Sequence, residues 1–149
     1  AGPEAPVLPG TWSFEAHEAY DSYQFHGTVP SKEMADWAPS FLPEGYIESK
    51  RTDLGTLVEI TYDCKDLDMW ITFSYLRLAE GSGFDLDNEH HVVTEISVQG
   101  MDGYLYTASE DKLNAVVWFN ETLRYGFLLS SRLPPDTLLE IAESVNTKS

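Results

Sequence analysis

Between Leu113 and Val145 the spacing of apolar positions changes period once, from two to between three and four. Leu113, Ala115, Val117 and Phe119 alternate with Asn114, Val116 and Trp118. That predicts a strand with one wholly apolar face and a single large aromatic on the other. Asn120-Glu121-Thr122 turns the chain, and Tyr125, Phe127 and Leu129 recur at period two within Arg124 to Ser130, the natural hairpin partner. Pro134-Pro135-Asp136 then opens a helix. Proline is tolerated there because the first helical amides have no intrahelical partner, and Asp136 sets a negative charge at the positive end of the dipole. Leu138, Ile141, Ala142 and Val145 follow at i, i+3, i+4 and i+7, a stripe that needs a sheet to lie on.

The upstream chain repeats the period of two. Trp12, Phe14 and Ala16 alternate with Ser13, Glu15 and His17, and Tyr23, Phe25, Gly27 and Val29 continue the pattern as a second strand. Ser31 caps a short helix expected to run to about Trp37, with Pro39 as its stop. Tyr46 to Asp53 and Thr56 to Asp63 flank Leu54-Gly55 as a hairpin, and Ile71, Phe73 and Tyr75 mark a strand over Met69 to Leu78. Glu80 to His90 is polar, acidic and glycine-bearing, hence read as a loop. Val92, Thr94, Ile96 and Val98 form the next strand, which turns at Gly100 and pairs back through Tyr104 to Ser109.

These elements predict an α+β fold: a curved, mostly antiparallel sheet of about nine strands, with the C-terminal helix and the short N-terminal helix packed on it. Residues 1–10, with Pro3, Pro6 and Pro9, read as a proline-rich tether, and 11–149 as a single domain. Composition narrows the partners. Twenty-five acidic against nine basic residues give a formal net charge of -16, which repels a phosphate backbone and argues against nucleic acid and anionic membrane surfaces. Cys64 is the only cysteine, so no intrachain disulfide forms, and without a motif joining it to His17, His26, His90 or His91 it reads as a small apolar filler. No run approaches the ~20 apolar residues of a membrane span, and no stretch reads as a signal peptide. Attachment to a membrane is therefore expected only through an anchor upstream of this chain.

Three segments, in order, carry a resemblance. They are Trp37 to Tyr46 with its Leu42-Pro43-Glu44-Gly45-Tyr46 turn, the strand Val116-Val117-Trp118-Phe119, and the closing Leu138 to Val145 with Ile141-Ala142-Glu143-Ser144-Val145. Together they resemble domain-of-unknown-function family 4367 over about Ala35 to Val145. The resemblance implies an extracytoplasmic domain of a membrane-anchored bacterial protein. Some members follow an anti-sigma-factor-like segment and one transmembrane helix. It also implies a sheet similar to the curved half-barrels of lipoprotein carriers. It supplies no catalytic residues, and the strands between Trp12 and Val29 lie outside its motifs.

The chain offers two sets of candidate site residues. Asp85, Asp87 and Glu89 place oxygen ligands at alternate positions, like the first half of a calcium loop. The second half is missing, since His90 stands where an EF-hand needs glycine and Ile96 where it needs a bidentate glutamate. A weak divalent cation is thus the one cofactor considered. His90 and His91 are adjacent and point to opposite faces of a strand, which disfavours a shared zinc. Tyr104, Tyr106, Trp118 and Tyr125 fall on adjacent strands, and those on the face away from the terminal helix would line an apolar groove. Neither paired carboxylates at a set separation nor a G-x-S-x-G elbow around Gly81-Ser82-Gly83 can be read. Asn120-Glu121-Thr122 matches a glycosylation triplet but reads more simply as the hairpin turn. The expectation is a non-enzymatic sensory or interaction domain with an unknown protein partner. The alternative is a carrier of a lipid or other small apolar ligand, resembling lipoprotein carriers, and a cell-wall hydrolase is the weakest reading.

Overall fold

The computed structural model describes residues 11–26, 34–78, 83–109 and 112–147, so the stretch 1–10, expected to be a tether, lies outside the described residues. In chain order the elements are β1 (Thr11–Ala16), β2 (Tyr20–His26), β3 (Trp37–Pro39), β4 (Ile47–Asp53), β5 (Leu57–Cys64), β6 (Met69–Arg77) and β7 (Gly83–Asp87). Next come β8 (His91–Val98), β9 (Met101–Ala108), β10 (Asn114–Asn120), β11 (Tyr125–Ser131), α1 (Pro135–Glu143) and β12 (Val145–Thr147). The predicted α+β class and antiparallel pairing hold, with twelve strands among the described residues rather than about nine.

Three of these strands correct the sequence reading. β7 occupies the stretch expected to be a loop: its polar residues are interrupted by Phe84 and Leu86, which point inward while Asp85 is exposed, and β2 supplies the pairing partner. The expected N-terminal helix begins at Ser31, outside the described residues, and Met34 to Asp36 are not helical. At its expected end Trp37–Pro39 is a strand, β3, paired with β12 through Val145↔Pro39 and Thr147↔Trp37. α1 is the only helix among the described residues.

The main sheet has seven strands in the order β4-β5-β6-β11-β10-β9-β8. Short turns build it as two meanders, and β6 and β11 join them from Tyr125↔Arg77 to Ser131↔Ile71. Because side chains alternate, each central strand sends every second residue to the helix side. Ile60, Ile71, Phe73, Trp118 and Leu129, all fully buried, meet Leu138, Ile141 and Ala142 of α1 there. Trp37 closes the remaining gap edge-on, with ring centroids 5.1 Å from Tyr125 and 5.0 Å from Phe127. Cys64 is 3% exposed in the same core.

The opposite face of the main sheet is covered by a second, three-stranded sheet in the order β1-β2-β7. This explains why β10 is buried at five consecutive positions, Ala115 to Phe119. Val116 and Trp118 pack toward α1, while Ala115, Val117 and Phe119 pack toward Tyr23 and Leu86 of the small sheet.

Two glycine-bearing turns fix the frame. In the Leu42 to Tyr46 segment the Tyr46 amide donates to the Pro43 carbonyl at 3.4 Å and Gly45 has φ +91°, a conformation that favours glycine at the third position of a turn. A Cβ on Gly45 would also sit 3.0 Å from Cys64 Sγ. Gly45→Ala is therefore expected to lower stability by at least ~1 kcal/mol, readable as a lower thermal midpoint with unchanged secondary structure. Gln99 (φ +52°) and Gly100 (φ +80°) form the β8 to β9 turn, both left-handed as a two-residue hairpin loop requires. That turn also holds the helix end, because Gln99 Nε2 donates to the carbonyls of Glu143 (2.9 Å) and Val145 (2.8 Å). The Gln99 amide in turn donates to the Glu143 carboxylate.

Candidate functional site: a cleft between the two sheets

The two sheets do not close on each other along their whole length. At the end formed by the β8 to β9 turn and the β10 to β11 turn they leave a cavity of ≈ 780 Å³. Its apolar wall is aromatic. β1 contributes Phe14, β2 Tyr23, β9 Tyr104 and β10 Phe119. Tyr23 is the hub, with ring centroids 5.2 Å from Phe14, 5.3 Å from Tyr104 and 5.7 Å from Phe119. Phe14 also stacks on Tyr104 at 6.4 Å and is 54% exposed, so its ring is partly open to solvent. The polar side of the cavity includes Asp102, Asn120 and Glu121. Among the described residues no lysine, arginine or histidine lines it.

Behind this wall a buried polar chain ties the two sheets together. Tyr106 Oη donates to Asp21 Oδ2 at 2.7 Å, which leaves the Tyr23 hydroxyl to donate to Tyr106 Oη at 2.6 Å. Asn88 Nδ2 donates to the other carboxylate oxygen of Asp21 at 2.6 Å and to the His17 carbonyl at 3.1 Å. Asp21 is 4% exposed, so these neutral donors replace the water it has given up. Burial pushes the Tyr23 phenol up to about 12 and raises Tyr106 further still, the latter reinforced by its bonds to Tyr23 and Asp21. Tyr104 is raised by burial and then by the nearby carboxylates of Glu95 and Asp102. Tyr106→Phe strands a buried carboxylate oxygen and is expected to cost about 1–3 kcal/mol in urea unfolding. Tyr23→Phe removes only the terminal donor and is expected to cost less.

The four aromatics singled out from sequence fall into two pairs on opposite faces. Tyr104 stands across from Val117, and Trp118 across from Gly103, so Tyr104 and Trp118 point away from each other. Tyr104 lines the cleft and Tyr106 stands behind it, whereas Trp118 lies in the helix-side core. Tyr125 joins Trp118 on the helix side, where its hydroxyl accepts from the Ala35 amide at 2.8 Å and the Arg77 guanidinium lies 5.4 Å from its ring.

Asp85 projects outward from β7 and Glu89 lies exposed in the following turn; Asp87 pairs through its backbone with Tyr20. The described residues contain no group of three or more histidine, cysteine or carboxylate side chains placed to hold a metal ion. His91 instead bonds through Nε2 to the Leu113 carbonyl at 2.8 Å.

Phe14, Asp21, Tyr23 and Phe119 escaped the sequence reading of the site. Asp21 left a signal: it shares the parity of Tyr23 and Phe25, so a carboxylate occupies an inward position in an otherwise apolar register.

Fold and cleft together define a three-layer α+β domain, helix on sheet on sheet, with an aromatic-walled opening between the sheets. The chain belongs to the family described as Domain of unknown function (DUF4367), which matches residues 36–145. β1 and β2 precede that span, so the hairpin that supplies Phe14, Asp21 and Tyr23 is an addition to the matched portion, pinned to it through β7. No curated protein and no solved structure matched the chain.

Proposed function

We propose that this is a non-enzymatic extracytoplasmic sensory or interaction domain of a membrane-anchored protein, carried by an anchor outside this sequence. The observation that carries this reading is the state of the helix-side face. Trp118, Phe73, Leu138 and Ile141 are all 0% exposed, so the helix-covered face of the main sheet is a filled core that leaves no room for cargo. The family resemblance supports the location and the tethering, with regulation of a sigma factor as the output it implies. Fractionation of source cells with an antibody to this chain tests the proposal. Recovery with membranes, together with digestion by a protease added outside intact protoplasts, is the expected result. Recovery in the cytosol, protected from that protease, would overturn it.

A second reading rests on a separate observation. The ≈ 780 Å³ cleft is within the size range of small-molecule sites and has a continuous aromatic wall, which favours a small, largely apolar ligand held between the sheets. Such a ligand is the signal that a sensory domain of this kind would read.

A further inference from the structure

We infer that the cleft between the two sheets binds a free organic cation, a protonated or quaternary amine on a small apolar body, with Tyr104 and Phe14 facing the cation, Tyr23 packed behind them, and Asp102 and Glu121 balancing its charge. The inference rests on the ligand-binding reading above and adds the chemical class. Three independent features point the same way. The first is the wall: four aromatic rings, three of them packed around Tyr23, line one cavity, and the faces of such rings attract cations through their quadrupole. The second is charge placement. Asp102 and Glu121 line the cavity, and Asp102 and Tyr104 also border an adjoining hollow of ≈ 450 Å³ to which Glu95 contributes a further carboxylate. No basic side chain among the described residues lines either space. The third is the field of the whole chain, whose formal net charge of -16 draws cations toward a concave site and repels anions.

Each feature excludes an alternative occupant. A purely apolar ligand would leave the carboxylates unused, and an anion would face them unpaired. A hard metal ion would use the carboxylates but gain little from rings. An organic cation with an apolar body uses both sides of the cleft.

Choline and its neutral isostere 3,3-dimethylbutan-1-ol differ in charge and scarcely in shape, so their comparison isolates the charge. In a ligand-observed NMR titration at low ionic strength, choline is expected to bind about tenfold more tightly than the alcohol. In the double variant Asp102→Asn/Glu121→Gln that preference is expected to fall to about twofold or less, with alcohol binding retained. Phe14→Ala removes a half-exposed ring, should leave the thermal midpoint nearly unchanged, and is expected to weaken choline several-fold. Equal affinity for choline and the alcohol, or full choline affinity in the double variant, would overturn the cation assignment while leaving a ligand cleft in place. Failure of both probes to bind in the millimolar range would overturn the assignment and the ligand reading together. Sedimentation with phosphatidylcholine vesicles, lost in the double variant, would transfer the site to a lipid headgroup and overturn the commitment to a free cation. The expected result is that the protein stays in the supernatant.

Discussion

Trp118→Ala is expected to lower the free energy of unfolding by about 3–5 kcal/mol, enough to consume much of the stability of a domain this size. The indole is 0% exposed and sits at the centre of the helix-side core, 5.1 Å from the Phe127 ring and 6.5 Å from Phe73 by centroid. Its site cannot collapse easily, because the residue across the ladder is Gly103, which has no side chain to move in. Gly103 is itself needed there: a Cβ on it would lie 2.6 Å from the Val117 carbonyl oxygen and 2.9 Å from Trp118 Cβ. The control is Trp70→Ala. Trp70 is 39% exposed and the Arg132 guanidinium lies over its ring at 5.9 Å, so its loss is expected to cost under about 1 kcal/mol. Urea unfolding of the two variants side by side separates them. A small cost for Trp118→Ala would mean that the indole does not fill a closed core, and would contradict the filled helix side.

The second large effect is alkaline unfolding. Burial pushes the phenols of Tyr23 and Tyr62 up to about 12 from an ordinary value of 10.0, and Tyr106, Tyr46, Tyr75 and Tyr104 are displaced in the same direction. Between these values the unfolded chain has released phenolic protons that the native state still holds. The unfolded state then binds fewer protons, so the free energy of unfolding falls as pH rises. The stability concerned is complete below pH 10 and is lost on the way to about pH 12. For Tyr23 and Tyr62, both at least 95% buried, the loss is on the order of 2–3 kcal/mol each by the upper limit. Denaturant unfolding at a series of alkaline pH values, with phenolate absorbance followed in parallel, reads both quantities. Stability that stays level through this window, with the phenols titrating at their ordinary value, would contradict the burial assigned to these rings.

What was legible in the sequence was whatever depends on neighbours along the chain. The hairpin β10 to β11 follows from period-two spacing on either side of a turn, β4 to β5 from the Leu54-Gly55 turn and the period of Val58, Ile60 and Tyr62, and α1 from its proline, its acidic first turn and its apolar stripe. The Leu42 to Tyr46 bend was likewise readable, since Pro43 and Gly45 act locally. What stayed hidden depends on partners far away. β7 looked like a loop because only two of its residues, Phe84 and Leu86, are large and apolar; it becomes a strand because β2, some sixty residues earlier, offers an edge. β3 and β12 are three residues each and exist only as each other's partner.

The aromatic site was half legible for a related reason. Tyr104 and Tyr106 share a face by parity alone. Whether Trp118 joins them depends on the β9 to β10 register, and the ladder sets Trp118 against Gly103 and Val117 against Tyr104. Phe14 and Tyr23 reach the cleft only because the first hairpin folds over the main sheet, and no feature of residues 11–26 states which surface that hairpin covers.

Which side of the main sheet receives an incoming molecule decides between a site in the cleft and a site under the helix. A two-dimensional amide spectrum of the isotope-labelled protein, titrated with choline, reads this directly. The predicted result is a set of shifts confined to Phe14, to residues 99–104 and to residues 119–123, with Leu138, Ile141 and the Trp118 indole unmoved. Shifts centred on the helix and the Trp118 indole, or no shifts anywhere, would contradict it.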